Sequence, residues 1–349
     1  MRWLALAAAL ALGACTVPAV DAFTPDYGPT QTFTLPAIDG RPITAYLDAP
    51  SSEQAAAVPL VVVVDGSGCM GQLRASSADF YRPASTDARR PFARLMVEKP
   101  GVAPDQEYTS ACSEDFLRHY SIDQRVFDHL RVLQHLRAQR PEWWNGELLV
   151  WGWSDGGDIA AQLVAYDAAV DRAVLGAMGG GLTMAEHFRD YWQCPTQMDP
   201  ANRPACLADL EATLTDIRDN PTWRKTWSGA DNTHKVWATR LDSRLSHVLA
   251  DNRTPILIVQ GERDLFSTPV QSARALVADL EAANNTAFTY WEVPNMRHGW
   301  RRDTDEGFRA DTHGKALQAA MLQWLLTGEA EADDLAAAGL AQSSGSSPK

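Results

Sequence analysis

Short apolar runs alternate along the chain with amphipathic stretches of helix length. Eight runs read as strands: QTFTLP, PITAYLD, PLVVVVD, ARLMVEK, ELLVWGW, RAVLGAM, PILIVQG and FTYWEV. Leu60 to Val64 shows no polar alternation, the pattern of a strand covered on both faces as a parallel sheet requires. Between strands, Ile122 to Gln139 sets Val126, Leu130, Leu133 and Arg137 at helical spacing, with Phe127 widening the apolar stripe. Further helices are expected over Pro269 to Ala282, after a Ser-Thr-Pro start signal, and over Gly314 to Leu326. The alternation predicts a doubly wound α/β sheet, eight-stranded and mostly parallel, with its ligand crevice at the carboxyl ends of the strands.

The pattern lapses between residues 182 and 253, where helix-leaning sequence carries Trp192, Trp223, Trp227, Trp237 and two cysteines. This reads as an inserted helical cap, its tryptophans either packing a core or lining a pocket. Residues 31–181 and 254–328 then form the main body. Residues 15–30, rich in Pro, Thr and Ala, suit a tether, and residues 329–349, ending in SSGSSPK, read as a disordered tail. At the start, Arg2 precedes an apolar run from Trp3 to Leu12, too short to span a bilayer, so residues 1–14 are expected to be a secretory signal. Leu12-Gly13-Ala14-Cys15 resembles a bacterial lipoprotein box, which implies lipidation of Cys15 and an envelope protein facing the periplasm or exterior. Ordinary cleavage near Val20-Asp21-Ala22 is the alternative.

With 349 residues, 45% of them hydrophobic and 21% charged, the chain can bury a large core. Its net charge of −13 argues against nucleic-acid partners and leaves a lipid anchor as the only expected membrane contact. Apart from Cys15, four cysteines remain, an even number that in an oxidising compartment favours disulfides over metal ligation. Of three possible pairings, Cys69–Cys112 and Cys194–Cys206 are favoured. The first two cysteines each follow a strand, and the second two share one irregular segment.

Gly152-Trp153-Ser154-Asp155-Gly156 fits G-x-S-x-G directly after the strand ELLVW and before the helical DIAAQLVAY. A nucleophilic serine must be thrust above the sheet on a strained turn, and glycines on either side relieve the resulting clashes. Such a serine needs a base and an orienting acid. Asp264 ends the segment after PILIVQ, with Glu262 a weaker competitor and a helix cap the bland alternative. His298 lies in the loop after the last strand; of the eight histidines only His313 competes seriously.

Ser154, Asp264 and His298, in that order and at those strand ends, resemble the catalytic triad of the α/β-hydrolase superfamily over residues 31–328. The resemblance implies attack by Ser154 on an acyl carbonyl, proton transfer by His298 and imidazole orientation by Asp264. It also implies an oxyanion hole built from the amide of Asp155 and one from the loop Asp65-Gly66-Ser67-Gly68-Cys69, for which Ser67 or Gly68 is expected. Relatives carry histidine where Asp65 stands, so the chain departs from the family pattern in this loop. A Cys69–Cys112 bridge would stiffen this loop. The Asp155 carboxylate either meets the helix N-terminus or faces the pocket to receive a cationic group, such as the α-amine of an aminoacyl ester.

The expected substrate is a small acyl ester, or an amide. A peptidase or amino-acid-ester hydrolase of the same fold and a catalytically idle envelope lipoprotein that binds a ligand are the alternatives. No HExxH, paired CxxC or calcium loop occurs and no GxGxxG follows the first strand, so neither metal nor cofactor is expected.

Overall fold

A computed structural model of the protein describes residues 26–51, 57–74, 81–83, 90–107, 111–229, 231–299, 307 and 309–340. The signal segment 1–14, Cys15 and the tether up to residue 25 lie outside the described residues, as does the tail from residue 341.

Eight strands form one sheet: β1 (Gln31–Pro36), β2 (Pro42–Asp48), β3 (Val58–Val64), β4 (Ala93–Val97), β5 (Trp144–Trp153), β6 (Arg172–Gly176), β7 (Ile256–Gly261) and β8 (Phe288–Val293). Their spatial order is β1-β2-β4-β3-β5-β6-β7-β8. The pairs β1/β2 and β2/β4 are antiparallel and the other five parallel. The unbroken apolar run of β3 divides between two cores. Leu60, Val62 and Val64 pack into one cluster beneath helices α2 (Ile122–Gln139) and α3 (Asp155–Tyr166), with α1 (Glu114–His119) preceding them in the chain. Val61 and Val63 enter a second, with Trp151 and Leu317. Alternate side chains of a strand point to opposite faces, so a strand without polar residues requires two apolar layers.

Helix α2 has its expected bounds, but its buried stripe differs from the expected one. Phe127 is 52% exposed, whereas Arg125, Asp128 and His129 are buried. The polar residues are inside because each has a partner there: Asp128 takes Arg41, and Arg125 reaches backbone carbonyls of the loop after β3. Periodicity marks a face but does not register such partners.

The segment between β6 and β7, where a cap is expected, contains α4 (Met184–His187), a wider helical turn over Phe188–Trp192, α5 (Arg203–Asp219), α6 (His234–Ala238) and α7 (Leu245–Leu249). It has its own core, in which Phe188, Leu214 and Trp237 pack together with Trp227 against them. Trp223 instead lies between two guanidinium groups, Arg118 at 4.9 Å and Arg224 at 4.4 Å. Disulfides join Cys194 to Cys206 within the cap and Cys69 to Cys112 beside the loop after β3.

Helices α8 (Val270–Ala282) and α9 (Lys315–Thr327) complete the body, and α10 (Ala332–Ala337) follows. The tail expectation is corrected over residues 332–340. Ala338 is 2% exposed and Leu340 packs against the second core, so the apolar side chains of ADDLAAAGL dock a segment that precedes the polar SSGSSPK end. The end of the expected tether is also held, since the Tyr27 hydroxyl donates to the Phe92 carbonyl at 2.8 Å. Among the described residues no helix is long and apolar enough to cross a membrane.

The tightest packing lies where β5 meets α3. A Cβ placed on Gly152 would stand 1.9 Å from the carbonyl oxygen of Gly156, and one on Gly156 would stand 2.1 Å from that of Val64. Neither contact can be relieved by a rotamer change, because the obstructing atoms are backbone. Gly152→Ala should therefore lower stability by about 3 kcal/mol or more, measured by urea unfolding; a loss below about 1 kcal/mol would show that the turn tolerates a side chain.

Candidate active site

Ser154 sits between the end of β5 and the start of α3 with φ 58° and ψ −126°, a backbone conformation that side chains other than glycine rarely adopt. The turn is held from both sides. The Ser154 amide donates to the Gly176 carbonyl at 2.8 Å, and the Ser154 carbonyl accepts from the amides of Gly157 and Asp158. The side chain is thereby lifted off the sheet.

His298, in the loop after β8, lies with Nε2 3.0 Å from Ser154 Oγ and Nδ1 2.7 Å from Asp264 Oδ2. Asp264 follows β7 and is 2% exposed. With the proton on Nδ1, the imidazole donates to Asp264 and leaves Nε2 to accept from the serine hydroxyl. The structure thus brings the three sequence-chosen residues into one hydrogen-bonded line. The two competitors are occupied elsewhere: Glu262 accepts from the Asn295 amide at 2.9 Å, and His313 Nδ1 accepts from the Arg309 amide at 2.9 Å.

Several supporting residues were not singled out from sequence. The Thr268 hydroxyl is 2.6 Å from Asp264 Oδ2 and 2.8 Å from the Ala177 carbonyl, and the Thr268 amide donates to Asp264 Oδ1 at 3.1 Å. Gln260 donates to Asp264 Oδ2 at 3.3 Å. These contacts occupy the carboxylate oxygens and fix their orientation toward His298. Trp153 Nε1 donates to the His298 carbonyl at 3.0 Å, tying the histidine loop to the residue that precedes Ser154. Thr268 was visible in the sequence only as part of the Ser-Thr-Pro helix start.

Ser67 and Asp155 line the same cavity as Ser154 and His298. Among the described residues, neither the Ser67 nor the Asp155 amide donates to another protein group. A Cβ on Gly66 would lie 3.3 Å from Ser154 Cβ, which places the loop after β3 directly against the serine. Gly68 is in the same loop with φ 85°, and its carbonyl accepts from Lys99 Nζ at 2.8 Å.

The Asp155 carboxylate meets a cation from the cap. Arg240 Nη1 donates to Asp155 Oδ1 at 2.8 Å, the Tyr120 hydroxyl donates to Oδ2 at 3.0 Å, and Arg240 Nη2 bonds Asp158 one turn further along α3. Burial favours the neutral form of Asp155, but the attraction of Arg240 and the hydrogen bonds from Arg240 and Tyr120 outweigh it and hold the carboxyl below its ordinary range. Burial pushes Asp158 up to about 7 despite Arg240, and repulsion from Asp155 adds to the rise. Arg240 also ties the segment between β6 and β7 to the helix that starts beside Ser154. A second tie runs from His187 Nε2 to the Phe266 carbonyl at 2.6 Å, with burial lowering the His187 imidazole to about 4 so that it remains neutral and donates.

The cavity measures about 280 Å³ and is lined in part by residues of the segment between β6 and β7. Trp192 and Trp237 face it, while Trp227 packs behind, so the cap tryptophans serve both as core and as lining. Among the described residues no group of His, Cys, Asp and Glu is arranged to hold a metal ion.

The chain matches no protein-family profile and no curated protein. Solved structures share its fold. Est1E from Butyrivibrio proteoclasticus is similar over 87% of this chain and 99% of its own, with 15% identity and a TM-score of 0.55. An acylaminoacyl peptidase of Pyrococcus horikoshii is similar over 87% of this chain but 43% of its own, at 11% identity and a TM-score of 0.52. A puromycin-hydrolyzing peptidase of Mycobacterium tuberculosis is similar over 85% and 39%, at 17% identity and a TM-score of 0.54. The chain therefore spans about two fifths of the length of these peptidases. Its fold is the α/β-hydrolase fold, with an open eight-stranded sheet.

Two outcomes follow from the Arg240 contacts. Arg240→Met leaves two buried carboxyl groups without their cation and should lower stability by about 3–5 kcal/mol in urea unfolding; an unchanged midpoint would show that the bridge holds nothing. Asp158 keeps its proton more tightly folded than unfolded, so it contributes stability that is lost as pH rises from about 4 to about 7. Asp158→Asn should flatten that decline in unfolding midpoints across the same range.

Proposed function

We propose that the protein is a serine hydrolase that cleaves a carboxylic ester, or an amide, through an acyl-enzyme. The observation that carries this reading is the unbroken line from Ser154 Oγ to His298 Nε2 at 3.0 Å and from His298 Nδ1 to Asp264 at 2.7 Å. His298 takes the hydroxyl proton as Ser154 Oγ bonds the acyl carbon. The resulting oxyanion is met by the amides of Asp155 and Ser67. Collapse expels the alcohol or amine, which receives the proton from His298. Water, activated by the same imidazole, then releases the acid and restores the serine. Throughout, Asp264 holds the tautomer in which Nε2 is free to accept.

The ester reading is favoured over the peptidase one by the way Asp155 is used. Its carboxylate is committed to Arg240 and Tyr120, which removes the charge that an α-amine would seek. Est1E, bound to ferulic acid in one structure, is matched along almost its whole length, whereas the two peptidases are matched over less than half. The two disulfides are compatible with an oxidising, extracytoplasmic compartment, and we propose that Cys15 carries a lipid anchor there.

A fluorophosphonate should label the folded protein on Ser154 alone and should not label Ser154→Ala. His298→Ala should lower kcat on p-nitrophenyl esters by about 10,000-fold with the unfolding midpoint unchanged. Near-normal turnover would remove His298 as the base. Failure of the phosphonate to react would instead favour an idle binding protein.

A further inference from the structure

Two buried cations stand behind the loop that follows β3. Lys99, just past β4, is 1% exposed, and its Nζ donates to the carbonyls of Gly68 at 2.8 Å and Ser67 at 3.3 Å. Arg125, on α2, is 2% exposed and donates through Nη1 to the carbonyls of Asp65 at 2.8 Å and Gly66 at 3.4 Å. Four successive carbonyls are thus drawn toward cations from two different elements.

In a trans peptide the C=O and N–H of one unit point in opposite directions. Holding the carbonyls of residues 65 and 66 on Arg125 therefore turns the amides of Gly66 and Ser67 away from it. Holding the carbonyl of Ser67 on Lys99 does the same for the amide of Gly68. The front of this loop lies against Ser154, as the 3.3 Å approach at Gly66 requires, and the Ser67 amide has no acceptor among the described residues. Hydrogen bonding at a carbonyl also polarises its peptide unit and strengthens the N–H as a donor.

Keeping a charge in this place is unfavourable in itself. Burial pushes Lys99 down to about 8, opposed by the attraction of Asp65, whose carboxylate lies 3.8 Å away. If Lys99 only filled space, a methionine of similar length would avoid that penalty.

We propose that Lys99 and Arg125 are positioning residues that hold the loop after β3 from behind, so that the Ser67 amide is aimed at the oxyanion formed on Ser154. This inference rests on the serine-hydrolase reading above and adds the residues that preorganise its oxyanion hole. Asp65, where relatives of this fold carry histidine, is then the counter-ion that allows Lys99 to remain charged in the interior.

The test compares the full-length wild type with Lys99→Met, Arg125→Met and Arg125→Lys. It measures p-nitrophenyl acetate kinetics and the inhibition constant of phenylboronic acid, whose tetrahedral adduct on serine carries an oxygen in the oxyanion position. Each Met variant should lose about 100-fold in kcat with KM within about twofold, and its boronate affinity should fall in parallel. Arg125→Lys, which keeps a donor, should recover part of both. A folded Lys99→Met with unchanged kcat and boronate affinity overturns the proposal, as does a rise in KM alone. Should Lys99→Met fail to fold, Arg125→Met and its lysine counterpart decide by the same readouts. A wild type that neither turns over esters nor binds the boronate overturns the hydrolase reading and this inference with it, whereas an active wild type with unimpaired variants overturns this inference alone.

Discussion

The approach of β5 to α3 at Gly152 and Gly156 is the constraint from which the site is laid out. The chain must reverse within a few residues between a buried strand and a buried helix, and Ser154 takes the strained backbone conformation that this reversal demands. Strain of about 1–3 kcal/mol at one residue persists only where its surroundings over-determine it. Here they do: Gly176 accepts from the serine amide, Gly157 and Asp158 donate to its carbonyl, and Val64 leaves room for Gly156 alone. The serine side chain stays lifted off the sheet because its backbone is not free to relax. The loops after β3, β7 and β8 converge on it because parallel strands end on the same side of the sheet.

A second level of organisation comes from charge buried around this turn. Arg240 reaches from the segment between β6 and β7 to two carboxyl groups of α3, so one wall of the cavity is tied to the helix that begins after Ser154. Lys99 and Arg125 reach from β4's end and from α2 to the carbonyls of the loop after β3. In each case a long cationic side chain spans between elements distant in sequence. Buried ionic groups of this kind add little net stability compared with apolar packing, and their value lies in fixing orientation. The His187–Phe266 bond adds a neutral tie between the cap and the loop that bears Asp264.

Much of this was legible in the sequence, for identifiable reasons. All eight strands could be read, the inner ones such as β3 and β7 from unbroken apolar runs covered on both faces and the edge strands β1 and β8 from apolar residues alternating with polar ones. Ser154, Asp264 and His298 could be chosen because loops at strand ends are few and catalytic side chains are of few types. Asp155 stands out in the sequence, but its partner does not: Arg240 follows α6, a helix of five residues that is too short to show a period. Thr268 was hidden in a helix start signal, and Lys99 looked like the polar end of the strand run ARLMVEK. Arg125 and Asp128 are buried although they lie outside the apolar stripe that the spacing marks, and Phe127, which widens that stripe in the sequence, faces solvent. Burial of polar groups depends on partners from elsewhere in the chain, which local pattern does not record. The ordered segment at residues 332–340 escaped for the converse reason, since Ala338 and Leu340 suffice to dock it.

The central claim is that acyl transfer proceeds through Ser154, and it is tested most directly by trapping the intermediate. Wild-type protein mixed with p-nitrophenyl acetate, quenched in acid within milliseconds and digested, should yield the peptide containing Ser154 with one acetyl group in near-stoichiometric amount, matching a burst of nitrophenolate. Steady turnover with no acetylated Ser154 peptide, or with the acetyl group on another residue, would contradict it.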